Sequence, residues 1–150
     1  MVSFLLGLCI FYADDIDSKS IKNILENADS FEFYSLEPLK KNEEGDKLHG
    51  WFVLGKVKIK CEEQKQIIES LYKSIADSNG VGARCFAPRH GIRAKKGEET
   101  VDLLVCFECY KVLIIKGDKR GQETLTASAQ KVFDKILEKH NITLAKQPKK

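Results

Sequence analysis

The sequence lacks several features that would quickly assign it to a class of protein. No apolar run approaches the 18 or so residues that span a bilayer. No internal repeat and no low-complexity linker divides the 150 residues, so one folded domain is expected. Walker loops, H-E-x-x-H zinc motifs, G-x-S-x-G elbows and EF-hand loops are also missing from the sequence. No motif therefore names an enzyme class.

The chain also lacks a strong charge of either sign. Its 25 basic and 22 acidic side chains leave a formal net charge of +3, which is too small by itself to indicate nucleic acid. Apart from Phe86, no aromatic residue lies among the clustered arginines, so the pattern does not favour a nucleic-acid surface. The content of 43% hydrophobic and 31% charged residues is ordinary for a globular domain that buries its own core.

The N-terminus carries the stretch that bears most on localisation. Residues 2–13 are apolar and uncharged, and two aspartates follow them. The run resembles the apolar part of a secretory signal, although no basic residue precedes it and Phe11 is bulky for a cleavage site. We expect residues 1–13 to form a signal or membrane-proximal segment, with a buried first strand or helix as the alternative. A single domain then occupies residues 14–150, and an exported or membrane-associated protein is favoured over a cytoplasmic one.

Apolar periodicity divides the domain into helices and strands. Helical spacing predicts three helices, over residues 17–28, 62–78 and 124–140. Strand-like patterns lie at residues 31–36, 50–60, 81–86, 92–94 and 100–116. The last of these is apolar on both faces, which predicts a central strand.

Polar connections between successive strands favour antiparallel pairing. The sequence thus predicts an α+β domain in the order α-β-β-α-β-β-β-α. Its sheet should be mainly antiparallel, with about five strands and with the helices packed mostly on one face.

Reactive side chains are concentrated in two segments, RCFAPRHGIR at residues 84–93 and CFEC at residues 106–109. We expect a two-residue hairpin loop ending at Gly97 to place these segments side by side. In that register Cys85 and Cys106 are diagonal neighbours on one face. A longer loop would shift the register and exchange the faces.

The sulfur and imidazole groups of this patch allow several interpretations. Cys85, His90, Cys106 and Cys109 supply the four ligands of a tetrahedral zinc site, but Cys106 and Cys109 would point to opposite faces of a straight strand. A structural disulfide among the cysteines is the alternative for an exported chain. A reactive dithiol would need a helix after its first cysteine, where the sequence instead predicts a strand. A Cys–His hydrolase would need a third, orienting residue, which the sequence does not identify.

The positive side chains of the patch are Arg84, Arg89, His90 and Arg93, around a Pro/Gly bend. Arginine forks suit carboxylate or phosphate groups, so a small anionic ligand is one interpretation. The alternative is that the arginines pair with acidic residues across the hairpin or simply lie in solvent. Those acidic residues are Glu98, Glu99, Asp102 and Glu108.

The segments CFAPRHGIR (residues 85–93) and CFEC (residues 106–109) resemble those of a group of small bacterial proteins of uncharacterised role, many of them lipoprotein-like or secreted. The resemblance covers roughly residues 80–115. It implies that the patch is one unit and favours export, and it implies no activity. The lipobox Leu6-Gly7-Leu8-Cys9 departs from the lipoprotein pattern because Leu8, directly before the cysteine, stands where Gly, Ala or Ser is expected.

We therefore expect a small non-enzymatic binding or interaction domain without a cofactor, acting on an unknown protein or a small anionic ligand. Its cysteine, histidine and arginine patch would be structural or would bind the anion. The alternative is a zinc-binding or thiol-dependent enzyme that uses Cys85, His90, Cys106 and Cys109. Membrane attachment would come through the N-terminus.

Overall fold

The computed structural model describes residues 16–39 and 44–147, and in these residues three α-helices and seven strands follow one another. The elements are α1 (Ser18–Glu26), β1 (Ser30–Leu36), β2 (Lys47–Leu48), β3 (Trp51–Lys58), α2 (Cys61–Ala76), β4 (His90–Lys96), β5 (Glu99–Cys106), β6 (Lys111–Lys116), β7 (Lys119–Thr124) and α3 (Gln130–Lys139), with a short 3₁₀ turn at Ala127–Ala129 before α3. The predicted N-terminal segment, residues 1–13, lies outside the described residues. No helix in the described ranges has the length and apolar composition needed to cross a membrane.

All seven strands form one antiparallel sheet in the order β2-β3-β1-β4-β5-β6-β7. The main hydrophobic core joins one face of this sheet to all three helices, through residues such as Leu25, Phe33, Leu71, Leu103 and Phe133. The predicted α+β class and antiparallel sheet are therefore confirmed. The helices cover one face because each carries an apolar stripe that only this core buries.

The predicted number of strands was too low, chiefly because residues 100–116 are not one strand. They form β5 and β6, which pair antiparallel through a turn at residues 107–110. A second turn beginning at Gly117, which has a φ of 61°, then leads into β7. The predicted helix over residues 124–140 begins later than expected. Thr124 is the last residue of β7, the 3₁₀ turn follows, and α3 begins only at Gln130.

The predicted strand at residues 81–86 is absent from the structure, and this stretch has no regular secondary structure. The predicted strand 50–60 corresponds to β3, with β2 as an added short partner. Between β2 and β3, His49 and Gly50 have φ values of 49° and 85°. Two successive positive φ values are typical of a type I′ hairpin turn.

The second face of the sheet has a smaller core that contains no helical residue among those described. It consists of Tyr34, Leu36, Leu48, Leu104 and Ile115, with Trp51, Val53, Phe86 and Leu113 packed against them. The β2–β3 hairpin closes over this face at Gly91, since a Cβ there would lie 2.7 Å from Cδ2 of Leu48. The absence of a side chain at Gly91 thus lets the hairpin approach the sheet.

Candidate functional site

The predicted hairpin between β4 and β5 is confirmed. Gly97, with a φ of 58°, is the first residue of a two-residue turn between Lys96 and Glu99, and further along His90 faces Val105. Because the predicted loop ended at Gly97 whereas the observed turn begins there, the predicted register was wrong by two residues. A shift of two residues keeps every side chain on its predicted face, so the two segments still meet at one end of the sheet.

Cys106 and Cys109 form a disulfide across the turn that joins β5 to β6. Their Cα atoms are 5.3 Å apart, and the backbone N–H of Cys109 donates a hydrogen bond to Sγ of Cys106 at 3.2 Å. Tyr110 completes the reversal with a φ of 56°, a left-handed conformation that is uncommon for a residue with a side chain. The prediction that both cysteines lie in a straight strand was wrong, because the C-x-x-C segment is itself the turn.

The irregular segment 82–89 lies across this disulfide turn. The backbone N–H of Ala83 donates to the carbonyl oxygen of Cys109 at 2.9 Å, and a Cβ on Gly82 would touch the same oxygen. At its other end, Ala87 lines a cavity of about 10 Å³ together with Phe107 from the turn. One end of the segment is thus hydrogen-bonded to the turn and the other lies beside it, and each cysteine of the disulfide is only 1% exposed.

Arg89 ties the end of segment 82–89 to the turn. Its guanidinium pairs with the carboxylate of Glu108, which stands between the two bonded cysteines. Its Nε also donates to the backbone carbonyl of Lys146 at 3.3 Å, so the C-terminal stretch is anchored at the same place. Arg89 therefore connects segment 82–89, the disulfide turn and the C-terminal stretch, and the carboxylate of Glu108 balances its positive charge.

His90 is buried beside the turn, on the face that the helices cover. Its Nε2 lies 2.7 Å from Oδ1 of Asp134 on α3, and its ring packs against the rings of Phe33, Phe107 and Phe133. Its Nδ1 is buried without a hydrogen-bond partner in the described part of the chain. This arrangement orients the imidazole as in a His–carboxylate pair, but it leaves the ring 2% exposed and inaccessible to a large substrate.

Arg93 belongs to a separate polar cluster on the second face. Its Nε and Nη2 donate to the buried carboxylate of Asp102 at 2.7 and 2.8 Å, and Nε2 of His49 lies 2.7 Å from the same carboxylate. The hydrogen bond to Asp102 raises the pKa of Arg93 above its ordinary value. Burial, together with the nearby charge of Glu32, raises the pKa of Tyr34 to about 12. The cluster fastens the β2–β3 hairpin to β5.

The four residues predicted to bind an anion do not converge. Arg84 is exposed, whereas Arg89 and Arg93 each pair with a carboxylate across the β4–β5 hairpin. His90 and Arg93 are separated by an odd number of positions along β4, so their side chains lie on opposite faces. The arrangement is the alternative that the sequence left open, with Arg89 and Arg93 neutralised within the fold and Arg84 exposed to solvent.

The four predicted zinc ligands are also separated. Cys106 and Cys109 are bonded to each other, His90 is bound by Asp134, and Cys85 is an exposed free thiol. Within residues 16–39 and 44–147, no group of three or more His, Cys, Asp and Glu side chains could hold a metal ion. The zinc site stays a prediction for which this geometry supplies no assembled ligand set.

No family model, curated protein or solved structure matches the chain. Its function must therefore be inferred from the molecule itself. The disulfide turn adjoins a groove, which we call the Tyr110 groove, of about 400 Å³. Its lining consists of Asp77, Ser78, Asn79, Val81, Tyr110, Leu125 and Thr126.

The sequence did not identify His49 or Asp134 as members of the polar clusters, whereas Asp102 was one of the acidic residues expected to pair with an arginine. One signal was present for Asp102, because a carboxylate inside the apolar run VDLLVCF must find a partner once it is buried. His49 and Asp134 had no comparable signal, since each meets its partner only through tertiary packing.

Proposed function

We propose that this chain is a small non-enzymatic binding domain that holds an apolar side chain of a partner protein in the Tyr110 groove. The observation that carries the proposal is the exposure of two large apolar residues in one groove: Val81 is 67% exposed and Tyr110 is 47% exposed. Exposed aromatic residues beside a groove are typical of the centres of protein interfaces. An enzyme is less well supported, because Arg89, His90 and Arg93 of the patch each contact a carboxylate within the fold.

The two sides of the groove are built rigidly. The side-chain oxygen of Asn79 accepts the backbone N–H of Val81 at 3.0 Å, and Oγ of Ser78 accepts the N–H of Gly80 at 3.2 Å. On the other side, the carbonyl oxygen of Tyr110 accepts the N–H of Leu125 at 3.1 Å. A surface that is already ordered before binding loses less conformational entropy when the partner arrives. The hydrogen bonds therefore support a preformed binding site.

The disulfide also supports a proposal about the compartment in which the domain acts. Disulfides persist in oxidising compartments and are rare in the cytosol. Together with the apolar segment at residues 2–13, the Cys106–Cys109 bond favours export, with the domain acting at or beyond the cell envelope. In this proposal the cysteine pair is structural, since it fixes the turn that presents Tyr110.

A displayed peptide library provides the test. Peptides of about twelve residues, selected on the immobilised full chain, should carry an apolar anchor and should shift the amide resonances of Val81, Tyr110 and Leu125. In Tyr110→Ser the affinity for a selected peptide should fall about tenfold or more, because a buried aromatic anchor contributes more than 1.4 kcal/mol at such sites.

Leu54→Ser is the matched control, because Leu54 is also an exposed apolar residue but does not line the groove. It should leave the affinity for the same peptide unchanged. Peptides whose binding shifts resonances elsewhere, and is unaffected by Tyr110→Ser, would remove the groove as the binding site.

A further inference from the structure

We propose that Cys85 is the exchange partner of the Cys106–Cys109 disulfide, so that the chain can convert to a second isomer in which Cys85 is bonded to Cys109. The inference does not depend on the Tyr110 groove. It concerns the one exposed thiol that lies within the segment covering the disulfide turn. The site is a three-cysteine exchange centre, and in the second isomer Cys106 carries the free thiol.

Cys85 lies close along the chain to two residues that contact the disulfide turn. Cys85 lies two residues after Ala83, whose N–H is bonded to Cys109, and two residues before Ala87, which lines the small cavity with Phe107. Because an extended chain advances about 3.5 Å per residue, Cys85 is within about 7 Å of both attachment points along the backbone. The two attachment points thus keep the backbone at Cys85 close to the turn that contains the disulfide.

Cys85 can reach the buried disulfide more readily than thiols in solution can. The two bonded cysteines are each 1% exposed, which shields them from thiols in solution. Cys85 is exposed and belongs to the covering segment. In the proposed exchange, a local movement of this irregular stretch brings its sulfur to the disulfide. A tethered thiol acts at an effective concentration that reaches the millimolar range for short flexible connections. The internal thiol therefore has an advantage over thiols of the surroundings.

Cys106 is the favoured leaving group of the exchange. Exchange is faster when the displaced sulfur is stabilised as a thiolate. The N–H of Cys109 already donates to Sγ of Cys106, and Lys111 faces Cys106 in the strand register. A hydrogen-bond donor and a positive charge both stabilise a thiolate at Cys106. Attack is therefore directed at Cys109.

The step balances without an external oxidant. The Cys85 thiol releases its proton to water, and the thiolate forms a bond to Sγ of Cys109. The bond between Cys109 and Cys106 breaks, and its electron pair stays on Sγ of Cys106, which then takes up a proton. One disulfide and one free thiol are present before and after the step, so no sulfur is oxidised or reduced overall.

The test follows the position of the disulfide in the full chain carrying Cys9→Ser, which leaves only the described cysteines. After incubation at pH 8.5, free thiols are blocked with N-ethylmaleimide and the chain is digested with trypsin. Cleavage at basic residues places Cys85 in peptide 85–89 and the bonded pair together in peptide 97–111. A linked 85–89/97–111 species therefore reports the exchanged isomer, and its appearance is the expected result.

A Cys106→Ser variant makes the test independent of the equilibrium between isomers. With oxidised glutathione, Cys109 should bond to Cys85 at least about tenfold more often than to Cys61, which is also exposed and free. Cys106→Ser combined with Cys85→Ser is the matched control, and in it Cys109 should be recovered as the free thiol or the glutathione adduct, with few bonds to Cys61.

Two results together would overturn the proposal. One is that peptide 97–111 of the Cys106→Ser chain carries glutathione, or bonds to Cys61 as often as to Cys85. The other is that no linked species forms in the chain that retains Cys106. Because the second measurement uses the undisturbed disulfide, misfolding of the variant does not remove the test.

Discussion

Replacing Asp102 with alanine is expected to lower the free energy of unfolding by about 3 kcal/mol, because Arg93 and His49 both lose the buried carboxylate that they contact. The carboxylate of Asp102 accepts two hydrogen bonds from Arg93 and lies 2.7 Å from Nε2 of His49. Without it, the guanidinium of Arg93 remains partly buried and unpaired, and the β2–β3 hairpin loses its polar attachment to the sheet. Urea unfolding followed by far-ultraviolet circular dichroism measures the loss.

The control for Asp102→Ala is Glu69→Ala, which removes the exposed ion pair between Lys65 and Glu69. That change should cost less than about 0.5 kcal/mol, because exposed pairs are screened by water. A double-mutant cycle with Arg93→Ala should give a coupling energy above about 1 kcal/mol. A loss below about 1 kcal/mol for Asp102→Ala, without coupling to Arg93, would show that the cluster does not fasten the hairpin.

Phe133→Ala is expected to cost about 4 kcal/mol, the usual range for removing a fully buried aromatic side chain from a core. The ring of Phe133 on α3 contacts the rings of Phe33, His90 and Phe107 in edge-on arrangements. Its loss opens a cavity where the helix, the sheet and the disulfide turn meet. Thermal and urea unfolding of the variant should both report the destabilisation.

The control for Phe133→Ala is Phe52→Ala, since the Phe52 ring is only partly buried and stacks under the ammonium of Lys47. Its cost should stay below about 1.5 kcal/mol, because little core volume is lost. Equal losses for the two variants would contradict the view that the aromatic cluster around His90 is the centre of the main core.

The sequence predicted the β4–β5 hairpin because a glycine within a polar stretch, between apolar runs, is a strong turn signal. It misplaced the turn by one residue, since either side of Gly97 can hold the two-residue loop. Gly97 in fact occupies the first central position, with a φ of 58°. The positive φ at that position is typical of a type II′ turn, and pattern alone does not distinguish it from the predicted loop.

The disulfide turn was harder to predict because residues 100–116 are apolar on both sides of it and contain no glycine or proline. A signal did exist in strand length, since strands usually have about ten residues at most. Gly117 and the polar residues after it predict a further hairpin, which requires the preceding run to break. The break falls at Cys106–Cys109, where the disulfide and the left-handed Tyr110 replace the usual turn glycine.

The sequence predicted which segments of the candidate site lie close together, but it did not predict which side chains contact each other. Chemistry-bearing residues at residues 84–93 and 106–109 do meet, because the hairpin joins their strands. Their side chains diverge because alternation along β4 sends His90 and Arg93 to opposite faces. The partners Asp134 and His49 come from elements distant in sequence, and no local pattern predicts such tertiary contacts.

The most direct test of the account is the oxidation state of the peptide that contains both cysteines of the turn. The folded chain is denatured with iodoacetamide and without reductant, digested with trypsin, and peptide 97–111 is weighed. The account predicts an unalkylated peptide that is lighter by two hydrogens than its reduced form, with Cys61 and Cys85 alkylated. A peptide 97–111 that carries two alkyl groups, from a chain that also contains one zinc ion, would contradict it.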